Sequence, residues 1–275
     1  MRLASQAFIA KVSLTAFLLC LCVLTGWHSR VFAVEQKTLH ETQEQRIVTL
    51  APHLTELVFA LGKQPYLVAV SEASNYPVEA QVLPTVANHR GVDLAAIIAL
   101  KPTHILAWEG GNKPQDIMRL KQLGFNVLAI SVSRLEDISS QINALGRFLD
   151  APQAHSLQEK FDADLSAFRL RFANEPALRV FYYSWPKPLQ SVGANAWVTT
   201  LLQECGLRHI FAELPTPYPQ VSLAAVLHEK PPVVIAGTGE ATENIDAFWQ
   251  AHASIYQPHI IIAEPDKMHR FTTRI

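Results

Sequence analysis

The stretch Leu94–Gly110 reads L-A-A-I-I-A-L-K-P-T-H-I-L-A-W-E-G, and Leu223–Gly239 reads L-A-A-V-L-H-E-K-P-P-V-V-I-A-G-T-G. Leu-Ala-Ala, Lys-Pro and the late Ala align without a gap, and nearly every apolar position stays apolar. Two copies are too few for a stacked solenoid. They imply one structural unit used twice, once in each of two similar lobes. Each copy reads as helix, turn and strand. Asp93 and Ser222 stand before the helices, where a side-chain oxygen can accept from a free backbone N–H. Pro102 and Pro231 stop the helices, because proline offers no N–H and blocks the preceding turn. A short apolar run then forms a strand, ending at Trp108 in the first copy.

Outward from the first copy, Arg46–Leu50 is a β-branched run predicted as a buried strand. Pro52 suits the first turn of a helix to Leu61, and Gly62 closes it. Tyr66–Val70 is a second strand, and a loop rich in Ser, Asn and Pro runs over 71–84. Pro114 opens another helix ending at Gly124, with a strand over 125–130. Ser133 and Glu136 fit a capping box before a helix to Leu149. Strands alternating with helices imply βαβ units and mainly parallel sheets, an α/β fold of two Rossmann-like lobes.

Residues 150–174 break that alternation. Leu157, Phe161, Leu165, Phe168 and Phe172 form one apolar stripe at helical spacing, flanked by Pro152 and Pro176. Midway between the copies, this helix is read as the connector. The predicted organisation is a lobe over 44–150, a connecting helix over 151–175 and a second lobe over 176–275. The second lobe contains strands at 179–183, 233–236 and 259–263, with helices at 196–205 and 244–251. Thr272 and Thr273 could begin a further helix, so this lobe is read as lacking its last one.

The N-terminus carries Arg2 and Lys11 ahead of the apolar run Val12–Trp27, then Val31-Phe32-Ala33. That pattern predicts a secretory signal over 1–33, cleaved after Ala33, in an exported protein. The run is short and contains hydroxyl residues, which argues against a membrane span. Cys20 and Cys22 would leave with the signal, making Cys205 the last cysteine. A net charge of −1 with scattered basic residues points away from nucleic acid and anionic membrane surfaces.

Motifs of catalysis are absent: no G-x-S-x-G, P-loop, H-E-x-x-H or C-x-x-C occurs. The expected role is binding, not catalysis. Histidines leave a metal-ion binder or metalloenzyme as an alternative, with His53 and His89 on the ligand-bearing side of first-lobe strands. Aromatic residues carry more weight. Trp108, Trp185 and Tyr218 each follow a strand or occupy a Pro-rich loop, where open α/β sheets bind ligands. Facing each other across an inter-lobe cleft, they suit a large, mostly apolar ligand.

Five segments share a wider pattern: R-I-V-T-L-A-P-H-L-T-E-L-V-F-A from Arg46, I-A-L-K-P from Ile98, A-W-E-G-G-N from Ala107, Cys205-Gly206, and P-Y-P-Q-V-S from Pro217. Over residues 46–275 the chain resembles the cobalamin-binding members of the siderophore and cobalamin class of ABC-transporter substrate-binding proteins. The resemblance implies two α/β lobes joined by one long helix, with ligand between them and no catalysis. Cobalamin would be cargo, not cofactor, and the protein a monomer. Trp108 matches a cleft tryptophan. Tyr218 stands where the family often has Trp, and Asp266 and Arg270 match polar groups that contact corrin side chains. His89, Ala73 and Ser184 replace aromatic residues, with Trp185 adjacent to the last. An altered pocket leaves a ferric siderophore or haem as the alternative ligand. The class docks on its inner-membrane permease through one glutamate per lobe, and the matching positions here are Ala95 and Ala224. Cys205 matches half of the family's disulfide, whose partner would lie beyond Ile275.

Overall fold

The computed structural model describes residues 44–274. The predicted signal segment lies outside them. Among the described residues no helix is long and apolar enough to cross a membrane.

The first lobe runs β1 (Ile47–Thr49), α1 (Pro52–Ala60), β2 (Leu67–Ser71), β3 (Thr85–Asn88), β4 (Gly91–Val92), α2 (Leu94–Leu100), β5 (His104–Trp108), α3 (Pro114–Gln122), β6 (Val127–Ile130) and α4 (Leu135–Phe148). Its sheet has the order β4-β3-β2-β1-β5-β6, parallel except for the β3–β4 hairpin. The connector α5 (Ala154–Phe172) has 19 residues, about 28 Å of helix. The second lobe runs β7 (Leu178–Tyr183), β8 (Trp185–Pro186), β9 (Leu189–Gln190), α6 (Trp197–Glu204), β10 (Leu207–His209), α7 (Leu223–Glu229), β11 (Val233–Ala236), α8 (Thr242–Gln250), β12 (His259–Ile262) and α9 (Pro265–His269). Its main sheet is parallel, in the order β10-β7-β11-β12.

The repeated unit is reproduced down to its backbone angles. Asp93 Oδ1 accepts from Ala96 N at 2.9 Å, and Ser222 Oγ accepts from Ala225 N at 3.2 Å. Each helix ends on a lysine in the left-handed region, Lys101 at φ 47° and Lys230 at φ 45°. The one buried residue of each helix stands at the same register, Ile97 and Val226. Each copy also delivers an interior strand: β5 lies between β1 and β6, and β11 between β7 and β12.

One local expectation changes. The helix after Ser133 is not capped by the Ser133–Glu136 pair. Asp137 Oδ2 instead accepts from the backbone N of both Ser133 and Arg134, at 2.9 Å each. Glu136 is engaged elsewhere: Arg169 of the connector donates to Glu136 Oε1 at 2.5 Å and, through Nε, to Glu204 Oε2 at 2.6 Å. One guanidinium thus joins α4, α5 and α6, and its hydrogen bond holds the Glu136 carboxyl below its usual pKa. The β3–β4 hairpin and β10 were not visible as sequence patterns, because each is too short to show alternation.

Candidate functional site

Trp108 ends β5, and its ring is folded over the turn that follows. A side chain at Gly110 would come within 2.6 Å of the indole, and one at Gly111 within 2.1 Å. Only glycines let the ring lie there. Asn112 fastens the turn: its Oδ1 accepts from Trp108 N and its Nδ2 donates to Leu50 O, both at 2.8 Å. The segment W-E-G-G-N is therefore a device for holding one indole at the carboxyl edge of the sheet, where open α/β sheets bind ligands.

On this indole lies Phe271, from the segment that follows β12. Its ring centroid is 5.3 Å from that of Trp108, 5.2 Å from His53 on α1 and 4.6 Å from Trp197 on α6. His53 meets Trp108 edge-on at 5.3 Å. Four rings from both lobes thus close into one box, with Phe271 buried at its centre. Three ring nitrogens around it are buried without a hydrogen-bond partner: His53 Nε2, Trp108 Nε1 and Trp197 Nε1. Burial, followed by the charge of Arg270, pushes the His53 pKa down to about 3, so the imidazole is neutral.

A charge cluster flanks the box. Glu56 on α1 is buried and receives Arg270 Nη1 on Oε1 at 2.7 Å. Arg274 completes it, with Nε to Oε2 at 2.8 Å and Nη2 to Oε1 at 2.7 Å. Arg270 Nη2 also meets Asp266 Oδ2 at 3.0 Å and Ala73 O at 3.0 Å. Two carboxylates and two guanidiniums balance, which a buried cluster requires. Asn75 donates to Asp266 at 2.9 Å, and the Arg274 guanidinium lies 3.7 Å above the Tyr76 ring. The loop bearing Ala73, Asn75 and Tyr76 is anchored by a buried hydroxyl chain, Thr49–Thr55–Ser74–Ser71, at 2.6 to 2.9 Å. On the second-lobe side, His269 Nε2 meets Tyr182 Oη at 2.9 Å.

The six residues singled out by sequence fall into three places. Trp108, Asp266 and Arg270 come together at the box and its charge cluster. There the Arg270 guanidinium is buried among Glu56, Asp266 and Ala73. Trp185 and Tyr218 are exposed on adjoining second-lobe loops. Gln190, paired with Trp185 in the β8–β9 hairpin, donates to Tyr218 O at 2.8 Å and stitches the two loops together. His89 stands alone, exposed in the β3–β4 turn. No contact joins it to His53, and no group of three His, Cys, Asp or Glu among the described residues could hold a metal ion. Sequence reasoning missed Phe271, Trp197, Glu56 and Arg274. Glu56 and Trp197 stood in helices read only for their ends, and Phe271 and Arg274 in a segment without a periodic pattern.

A separate apolar cavity of about 300 Å³ lies along the connector, lined by Leu157, Phe161, Leu165 and Phe168 with Leu135 and Leu201. Cys205 is at its rim, a free thiol whose pKa burial raises. The stripe on α5 is therefore only partly covered, and Phe168 remains 37% exposed.

The profile of the family described as "Periplasmic binding protein" matches residues 47–253. The chain belongs to that family. It is 36% identical over 219 residues to a vitamin B12-binding protein of Vibrio cholerae serotype O1, covering 78% of each chain. It is 34% identical over 213 residues to a vitamin B12-binding protein of Vibrio parahaemolyticus, covering 77% of each. The crystal structure of the periplasmic vitamin B12-binding protein BtuF of Vibrio cholerae superposes with a TM-score of 0.76 at 33% identity, over 84% of this chain and 91% of that one. The periplasmic haem-binding protein HutB of Vibrio cholerae superposes at 0.71 with 21% identity, over 82% and 92%. At that identity the second likeness speaks for the fold alone. The family is one of substrate-binding proteins, and the two-lobed α/β architecture agrees with it.

Proposed function

We propose that this protein captures cobalamin or a related corrinoid in the periplasm and hands it to an inner-membrane ABC importer. The observation that carries the reading is Trp108, presented at the carboxyl edge of the first sheet toward the second lobe, in a chain over a third identical to a vitamin B12-binding protein. A corrin face is broad and apolar, and an indole lying flat at a cleft offers the matching surface. Trp185 and Tyr218, held side by side on the second lobe, supply exposed aromatic surface. His89 contributes from the first lobe's rim. Asp266 and Arg270 orient the ligand's polar side chains.

Residues 1–33 act as a cleaved export signal in this reading, and the mature chain is a monomer with lobes over 44–150 and 176–275 joined by 151–175. Delivery is the altered step. Ala95 and Ala224 are both exposed in the first turns of α2 and α7. They offer an importer no charge, so charge-assisted contacts and steering are weak there.

Calorimetric titration of the mature protein with cyanocobalamin, haem and Zn²⁺ tests the reading. Cyanocobalamin binding at micromolar concentration or tighter, without comparable Zn²⁺ binding, is expected. Preference for haem would transfer the site to an anionic porphyrin, and tight Zn²⁺ binding alone would contradict the reading.

A further inference from the structure

We propose that Phe271 is a built-in occupant of the binding cleft: its ring fills the place against Trp108 that the ligand takes, and binding requires residues 271–274 to move aside while Asp266 and Arg270 stay in place. The inference rests on the corrinoid reading above and adds a competitor that the chain itself supplies.

Three independent observations lead here. First, Phe271 packs on the indole that the W-E-G-G-N turn holds, with the two ring planes inclined by 59°. Its ring touches Trp108 and His53 from one lobe and Trp197 from the other. Second, the box does not suit its occupant chemically. A phenyl ring offers the indole N–H groups of Trp108 and Trp197 no lone-pair acceptor, only a weak π face, and it has no donor for the neutral imidazole of His53. All three nitrogens are left unpaired in a buried place, where an unmade hydrogen bond is costly. Corrin-type ligands carry peripheral carboxamides, which offer C=O acceptors and N–H donors together. The box is thus a polar-tipped aromatic subsite whose partners the segment cannot provide, and His53 and Trp197 join Trp108 as its walls.

Third, the segment is held by a latch distinct from the plug. Arg270 and Arg274 share Glu56, Asp266 meets Asn75, and His269 meets Tyr182. These contacts engage Asp266 and Arg270, the two residues proposed to orient the ligand. Displacement of 271–274 uncovers Trp108 and leaves Asp266 and Arg270 beside the opened box, with Arg270 still paired to Glu56. A ligand that binds only the withdrawn form has its apparent affinity reduced by the fraction of protein in that form.

The test uses the full mature chain. Cyanocobalamin titrations of the wild type, Phe271→Ala and Arg274→Ala are paired with backbone hydrogen exchange over 271–274. Expected are faster exchange of the segment on saturation, a gain in affinity of about tenfold for Phe271→Ala, and a gain of about threefold for Arg274→Ala. Arg274→Ala leaves Glu56 paired with Arg270, so it keeps the fold if Phe271→Ala does not. Unchanged or stronger protection of the segment on saturation, with no affinity gain in either variant, would overturn the proposal. If no variant binds cyanocobalamin, the corrinoid reading fails by itself. The plug is then decided by acrylamide quenching of tryptophan fluorescence. Higher accessibility in Phe271→Ala and Arg274→Ala supports it, and unchanged accessibility refutes it.

Discussion

In the first copy of the repeated unit, the strand runs into Trp108, whose indole lies over Gly110 and Gly111. In the second copy the same register is Gly237, and Tyr182 from the neighbouring strand lies against it: a Cβ there would come within 2.2 Å of the Tyr182 hydroxyl. Up to this point the copies share cap, left-handed lysine, buried aliphatic and interior strand. The difference teaches where function is added to a duplicated scaffold. Helix and strand positions are fixed by the need to cap, terminate and bury. The residue at the strand's carboxyl end has no such duty, and one copy places there the indole proposed as a binding face while the other closes over. The segment 264–274 touches both ends, Phe271 on Trp108 and His269 on Tyr182.

Breaking the shared part should damage both copies alike. Ile97→Ala removes a fully buried side chain and should lower stability to urea by about 2–5 kcal/mol. Val226→Ala at the same register should do the same to a smaller extent, since fewer methylenes are lost. If only one of the two destabilises the protein, the copies are not equivalent supports.

Alanine at the divergent ends separates the copies. Gly237→Ala forces the Tyr182 ring aside and should cost about 1–3 kcal/mol of stability. Gly111→Ala pushes the Trp108 indole instead. Because that ring stands at the edge of the sheet, its main readout should be weaker ligand binding, with a smaller change in the urea midpoint.

Acid should weaken both lobes through buried neutral histidines. Burial lowers the pKa of His53, beside Trp108, to about 3, and that of His209, beneath Tyr182, to about 4, from 6.5. His209 accepts from Tyr182 N at 3.2 Å and lies 3.1 Å from Ser191 Oγ. Below pH 6.5 the unfolded chain takes up protons that the folded one refuses. Stability is therefore full above that pH and falls on acidification by up to about 1.4 kcal/mol per pH unit for each histidine. The loss continues toward the lowered values and then levels. Urea titrations from pH 7.5 to 4.5 read this slope, and His209→Gln should flatten it. The smallest effects belong to the caps: Asp93→Ala and Ser222→Ala should each cost about 1 kcal/mol.

How much of this was legible in the sequence follows from what each feature depends on. The repeated helices, their caps and the interior strands depend on local spacing, so 94–110 and 223–239 carried them openly. Trp108 was legible for the same reason, as an aromatic at a strand end beside two glycines. The box was not. Phe271, Trp197 and Glu56 meet only through tertiary packing, between segments far apart in the chain, and no period connects them. Arg270 was read, from the resemblance, as a polar residue of the cleft; its burial against Glu56 beside Arg274 was not legible, because the sequence does not say which charges are withdrawn from water. Trp185 and Tyr218 were read as separate loop aromatics, and the link through Gln190 is visible only once β8 and β9 pair.

The most direct test is the cyanocobalamin affinity of Trp108→Ala beside the wild type, by calorimetry at neutral pH. Loss of the flat indole face should weaken binding by on the order of 100-fold, as for a central aromatic anchor. Wild-type binding that survives unchanged in Trp108→Ala, or no corrinoid binding by the wild type at all, would contradict the assignment of this strand end as the ligand's seat.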